Sequence, residues 1–121
     1  MISYLKGTKV EITKTTQNRL FLILDVNNIG YEMQISTRFA QKLDGSADEP
    51  IQVFTHLQIQ EDKHILYGFP SAAERDLFRQ LTAVSGIGMQ LGIALIDTLG
   101  ISDLVGAIVT SNIPALTKTP G

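Results

Sequence analysis

Two short stretches hold the residue types that can do chemistry. The first is Glu61-Asp62-Lys63, flanked by His56 and His64. Carboxylates near imidazoles are the raw material of a metal or hydrolytic site, because both groups ligate a cation. No ligand spacing repeats here, and carboxylates on a short tip are solvated. The residues alone favour a charged, solvent-facing turn. The second stretch runs from Leu81 to Leu95. Apolar residues at helical spacing reach Ser85, a Gly86-Ile87-Gly88 turn follows, and a second apolar-periodic run begins at once. Glycines in such a turn permit positive φ and clear space for a close neighbour. A helix starting there directs its free N–H groups and partial positive charge outward, which suits a phosphate. An ordinary corner between two helices accounts for the same residues.

Composition narrows the classes. No Gly-rich loop ending in Lys-Ser or Lys-Thr is present, so the chain is expected to hydrolyse no nucleotide itself. Zero cysteines exclude disulfides and thiolate metal sites and fit a reducing cytoplasm. No apolar run approaches the roughly 18 residues of a membrane span. Met1 to Gly7 lacks the basic and apolar regions of a signal peptide. The 121 residues suffice for one ordinary domain or two small ones, and 44% hydrophobic against 18% charged residues supports a packed core. The net charge is −2, and neither end of the chain is basic: up to Ile65 seven Lys/Arg face eight Asp/Glu, and beyond it three face four. A charge-driven nucleic-acid binder is therefore disfavoured. Any such contact must be local, through backbone amides and a few cations.

The elements that position these stretches follow from periodicity. Residues 2–69 read as strands. Ile2 to Thr13 is the first, with Gly7 as a bend or bulge. Thr15 to Asn18 is a turn. Arg19 to Val26 alternates, with Leu20, Leu22, Leu24 and Val26 on one face. Asn27-Asn28-Ile29-Gly30 signals a hairpin, and Tyr31 to Ile35 is the third strand. Thr37 to Leu43 breaks the alternation as a short helix. Ile51 to Gln60 is a fourth strand, and His64 to Phe69 a fifth. Three strands, a helix and two strands form the element order of a small five-stranded OB-type barrel. Tyr67 and Phe69 can stack on bases, as in other OB folds, but read better as core.

Pro70 ends the sheet region, and Ser71 with Glu74 forms a capping box. The helix it opens buries Leu77, Phe78 and Leu81. A hairpin helix runs from about Met89 to Thr98, with Gly100 as its C′ glycine. Ser102 caps a third helix carrying Leu104, Val105, Ile108 and Val109; Asn112 caps a fourth, with Pro114 in its first turn. The predicted division is a barrel over 1–69 and an all-α domain over 70–121. Leu116-Thr117-Lys118-Thr119-Pro120-Gly121 is similar to Leu81-Thr82-Ala83-Val84-Ser85-Gly86. The chain is thus expected to break off within a second hairpin, as a truncated product does.

The Gly86-Ile87-Gly88 element resembles the helix-hairpin-helix, which holds nucleic-acid backbone without reading bases. The whole chain resembles the RuvA family of bacterial Holliday-junction-binding proteins. The resemblance rests on Met1-Ile2 leading to Leu5 and Gly7, and on Val26 followed by Ile29-Gly30-Tyr31-Glu32. Its most specific run is Val53-Phe54-Thr55-His56, Glu61-Asp62 and Leu66-Tyr67-Gly68-Phe69. Glu74-Arg75 to Phe78 and Ser85-Gly86-Ile87-Gly88 complete it.

The resemblance implies an N-terminal OB-fold and a central domain with two helix-hairpin-helix elements. It also implies a third domain, absent here, that grips the RuvB motor. Family members assemble as four-fold tetramers, sometimes paired into octamers. They hold four-way junction DNA open and flat for branch migration in recombination, repair and the SOS response, with a RuvC resolvase as a further partner. The implied backbone contacts are Ser85, Gly86, Ile87, Gly88, Met89 and Gln90 in the first hairpin, with Lys118 and Gly121 in the second. Glu61 and Asp62 match an acidic pin that repels phosphates at the junction centre. Met89-Gln90 departs from the Pro-Lys of many members and removes one cation. No catalytic residue, metal or cofactor is implied. The rival readings are a non-specific OB and helix-hairpin-helix module for DNA, and an enzyme using the acidic tip.

Overall fold

The structure, a computed structural model, describes residues 2–44 and 49–98. The expectations placed on Gly100, Ser102, Asn112, Pro114, Lys118 and Gly121 lie outside the described residues. The elements are β1 (Tyr4–Lys14), β2 (Leu20–Val26), β3 (Ile29–Ile35), α1 (Thr37–Leu43), β4 (Ile51–Gln60), β5 (Lys63–Phe69) and α2 (Ala72–Thr82). Residues 89–98 are helical as well.

The strands close into an OB-like barrel in the order β1-β2-β3-β5-β4. Closure depends on two features. β3 and β5 meet in parallel, with Gln34 opposite Tyr67. β1 serves two neighbours: Tyr4 to Gly7 pairs with β4, and Thr8 to Lys14 pairs with β2. Gly7 stands at the hand-over between them, and a Cβ there would collide with the Asp25 carbonyl oxygen. The bulge expected at Gly7 instead falls at Val10, where the register with β2 slips between Lys9 and Glu11. Gly7 is required by close backbone approach, and Val10 supplies the extra residue that bends the strand.

The alternation read in β2 is the one that fills the barrel. Leu22 and Leu24 are fully buried and join Met33, Ile35, Val53 and Leu66. Phe39 and Leu43 of α1 enter the same cluster. Helix α1 has only seven residues, so its ends need partners. Ser36 Oγ accepts the Phe39 N–H at 3.1 Å, and Lys9 Nζ donates to the Leu43 carbonyl at 2.8 Å. Asn27 and Asn28 have φ of 52° and 68°, the left-handed pair that matches the twist of a two-residue hairpin. β3 therefore begins at Ile29, two residues before the expected Tyr31. The turn is complete without Gly30.

The chain divides into two compact units, Met1–Arg75 and Asp76–Gly121, with the boundary inside α2. In the first unit Ser71 Oγ accepts the Glu74 N–H at 3.2 Å, the cap expected at the start of α2. Arg75 keeps this first turn with the barrel. Its guanidinium donates to the Ser3 carbonyl at 2.8 Å and lies 5.7 Å from the Phe54 ring centroid. In the second unit Leu77, Phe78 and Leu81 are buried, as are Ile87, Ile93, Leu95 and Ile96.

Helix α2 stops at Thr82, three residues before the apolar spacing ends. The Val84 N–H donates to the Leu81 carbonyl, three residues back, and tightens the turn. Thr82 Oγ1 donates to the Phe78 carbonyl at 2.9 Å, capping a helical end that side-chain periodicity does not register.

Candidate functional site

The acidic stretch forms the end of the β4–β5 hairpin. Gln60 and Lys63 are its last paired residues, so the turn is Glu61-Asp62 alone. Neither has a positive φ, unlike the asparagine turn between β2 and β3. Every residue from Ile59 to Lys63 is exposed, and so is His64. Among the described residues no hydrogen bond or ion pair engages the two carboxylates. They form a solvated, doubly negative tip ahead of a strand pair that is itself rooted in the core at Val53, Leu66 and Tyr67.

The residues that would make this tip a metal site are not gathered there. Among the described residues no group of three or more His, Asp or Glu can hold a metal ion. His56 pairs with Tyr67, four pairs down the ladder from Gln60 and Lys63. At about 3.3 Å per residue it stands on the order of 15 Å from the tip. Its ring lies 6.4 Å from that of Tyr67. Tyr67 and Phe69 are each 1% exposed, and the Tyr67 hydroxyl donates to Gln58 Oε1 at 3.3 Å. They are core residues, and base stacking on them is ruled out by burial.

The glycine turn has a regular inside and outside. Ile87 is 4% exposed and anchors the turn, while Ser85, Gly86 and Gly88 on either side are exposed. The Ile87 N–H donates to the Val84 carbonyl at 3.1 Å and closes the turn, so the open backbone is that of Ser85, Gly86 and Gly88. Gly86 takes φ of 90°, a conformation that a side chain would strain. Gly88 is different: a Cβ there would meet nothing within 4 Å. No internal packing demands glycine at 88, so its bareness leaves backbone open to the outside.

The Gly88 carbonyl accepts the Gly92 N–H at 2.9 Å, which makes Gly88 the residue that opens the following helix. The helix's earlier N–H groups precede this first i→i−4 bond and are directed out of its N-terminus. Met89 and Gln90, half-buried in that first turn, complete the predicted set. Lys118 and Gly121 lie outside the described residues.

Sequence reasoning gave Gly92 no role. A Cβ at 92 would lie 3.0 Å from Thr82 Cγ2 and 3.1 Å from Phe78 Cε1. The missing side chain lets the helix over 89–98 lie directly on α2, and this holds the turn between them. Only its spacing within an apolar run hinted at a packing glycine. Among the described residues no helix is long and apolar enough to cross a membrane.

Comparison with known proteins gives a consistent result. Residues 1–68 match the family described as RuvA N terminal domain. Over all 121 residues the chain is 63% identical to a protein of Rippkaea orientalis named Holliday junction branch migration complex subunit RuvA. It is 58% identical to the protein of that name from Gloeothece citriformis and 54% identical to that from Synechocystis sp.. The chain spans 57–58% of the length of these relatives.

Proposed function

The chain belongs to the RuvA family, and from that premise we propose that it is the junction-holding part of a Holliday junction branch-migration subunit. It binds DNA and positions it; ATP hydrolysis belongs to a RuvB motor gripped by a segment beyond this chain. Two exposed features carry the reading together: the bare backbone at Ser85, Gly86 and Gly88 and the doubly negative Glu61-Asp62 tip, on a chain 63% identical to a relative named for the junction. The first attracts phosphate and the second repels it.

The roles follow from charge. Residues 70–121 act as a helix-hairpin-helix domain. The backbone of Ser85, Gly86 and Gly88, with Met89 and Gln90 in the first helical turn, holds a phosphate at the first hairpin while buried Ile87 anchors it, and Lys118 and Gly121 serve the second. Four copies around the crossover bring their tips to the centre, where the carboxylates keep the separated strands apart. Charges closer than the Debye length, about 8 Å at physiological salt, are only partly screened. The subunit works in the cytoplasm on DNA under recombination and repair, with a RuvC resolvase as an additional partner.

Titration against a four-way junction and a linear duplex of equal length, at matched salt, tests the proposal. The junction is expected to bind more tightly; equal affinity would identify a general DNA-binding module instead. Gly88→Val is expected to lower junction affinity about fourfold, since it covers the open backbone from a Cβ position with nothing within 4 Å. Its melting temperature should equal that of the parent. Unchanged affinity in the folded variant removes the hairpin from the site. Light scattering of the chain with junction should give the mass of four copies per junction, and a single copy would reject the four-fold arrangement.

A further inference from the structure

The β4–β5 hairpin has two faces below its acidic tip. Cross-strand pairs place Thr55 beside Gly68, Leu57 beside Leu66 and Ile59 beside His64. Side chains alternate along a strand, so Val53, Thr55, Leu57 and Ile59 share one face. Burial falls steadily along it. Val53 and Thr55 are fully buried, Leu57 is half-buried, and Ile59 is 62% exposed. The stripe that fills the barrel thus runs out past its rim and ends as a bare isoleucine beside an exposed histidine.

A single exposed apolar side chain is ordinary on a protein surface. The position of this one is not, because its neighbours at the hairpin end are Gln60, Glu61, Asp62 and Lys63. Ile59 stands two residues from Glu61, roughly 7 Å along the strand. That is inside the Debye length of the tip carboxylates, about 8 Å. The tip holds two carboxylates against the one ammonium of Lys63, which leaves it net negative and disfavours a phosphate at Ile59. The part of a nucleic acid that carries no charge and has an apolar face is the base. Isoleucine offers that face a dry surface, and the imidazole of His64 can lie against a ring or bond to a base edge.

We propose that Ile59 and His64 form a rest for a nucleobase exposed at the opened centre of the junction. The hairpin then holds unpaired bases with one face while its tip repels their phosphates. The inference rests on the function proposed above.

The test uses this chain and a synthetic four-way junction carrying 2-aminopurine at the bases flanking the crossover. Emission is read at saturating protein, and affinity is measured separately for junction and linear duplex. Ile59→Ser is expected to remove at least half of the emission change. It should weaken junction binding about fivefold and leave duplex binding unchanged. Ile59→Phe, which restores an apolar surface, should restore both. Circular dichroism should show all three proteins equally folded, since Ile59 lies outside the core.

If Ile59→Ser matches the parent in emission and affinity, the inference is overturned and the proposed function stands. Equal losses on junction and duplex also overturn it. A change in solution mass with Ile59→Ser would mean that the occupant is a second copy of the chain, and overturns it likewise. A parent chain without preference for the junction overturns the proposed function, and this inference with it.

Discussion

Exchanging both tip carboxylates for amides, in Glu61→Gln/Asp62→Asn, is expected to raise affinity for linear duplex about tenfold and to raise junction affinity by less. Two unit charges 8 Å apart repel by roughly 0.5 kcal/mol in bulk water, and more beside a protein surface. Two carboxylates per chain, each facing more than one phosphate, give about 1.4 kcal/mol, a factor of ten. The gain is largest for duplex because its phosphates cannot splay away from the tip, whereas those of an opened junction can. Specificity for the junction therefore falls as raw affinity rises, the behaviour of a repulsive element that selects one partner by excluding another.

Folding is not at stake, since both residues are exposed. Three outcomes are distinct in one titration series at matched salt. Tighter duplex binding supports repulsion. A change of a few tenths of a kcal/mol, as for most surface substitutions, would mean a merely solvated turn. Lost metal dependence with no gain in duplex binding would point to a cation at the tip. Lower salt should enlarge the first effect and leave the second unchanged.

Gly92→Val is expected to destabilise the second unit by about 3 kcal/mol, near the upper part of the range for an overpacked interior. The first carbon of the new side chain would already stand 3.0 Å from Thr82 Cγ2 and 3.1 Å from the Phe78 ring. Its two methyl groups need more room still. Phe78 is fully buried and cannot swing into solvent, so the helix over 89–98 must move away from α2.

Amide hydrogen exchange should then quicken across 89–98 while β2 and β5 keep their protection. Junction binding should fall with it, because the turn from Ser85 to Gly88 is held by these two helices. The contrast with Gly88→Val is informative: one glycine is bare toward the helix neighbour and the other toward solvent. A Gly92→Val chain as stable as the parent would show that the close approach is dispensable.

What the sequence by itself determined is local. Alternation in Leu20–Val26 marked the core face, and Leu22 and Leu24 are fully buried. Asn27-Asn28 announced a hairpin because few other residues tolerate two left-handed conformations in a row. Ser71 announced a helix start through a hydroxyl that needs only the next turn's amide. The acidic tip and the glycine turn were equally legible, since both are defined by neighbours in the chain.

What only the tertiary structure decided depends on residues far apart in sequence. Barrel closure rests on a parallel meeting of β3 and β5 and on a β1 shared between two strands, which no periodicity encodes. Gly7 and Gly92 look alike in the sequence; one is needed by the Asp25 carbonyl and the other by Phe78 and Thr82. Tyr67 and Ile59 differ most. Both belong to apolar strands at the same hairpin, yet one is core and the other is bare. The difference is where the barrel rim cuts across the strand pair, and a rim is a property of all five strands together.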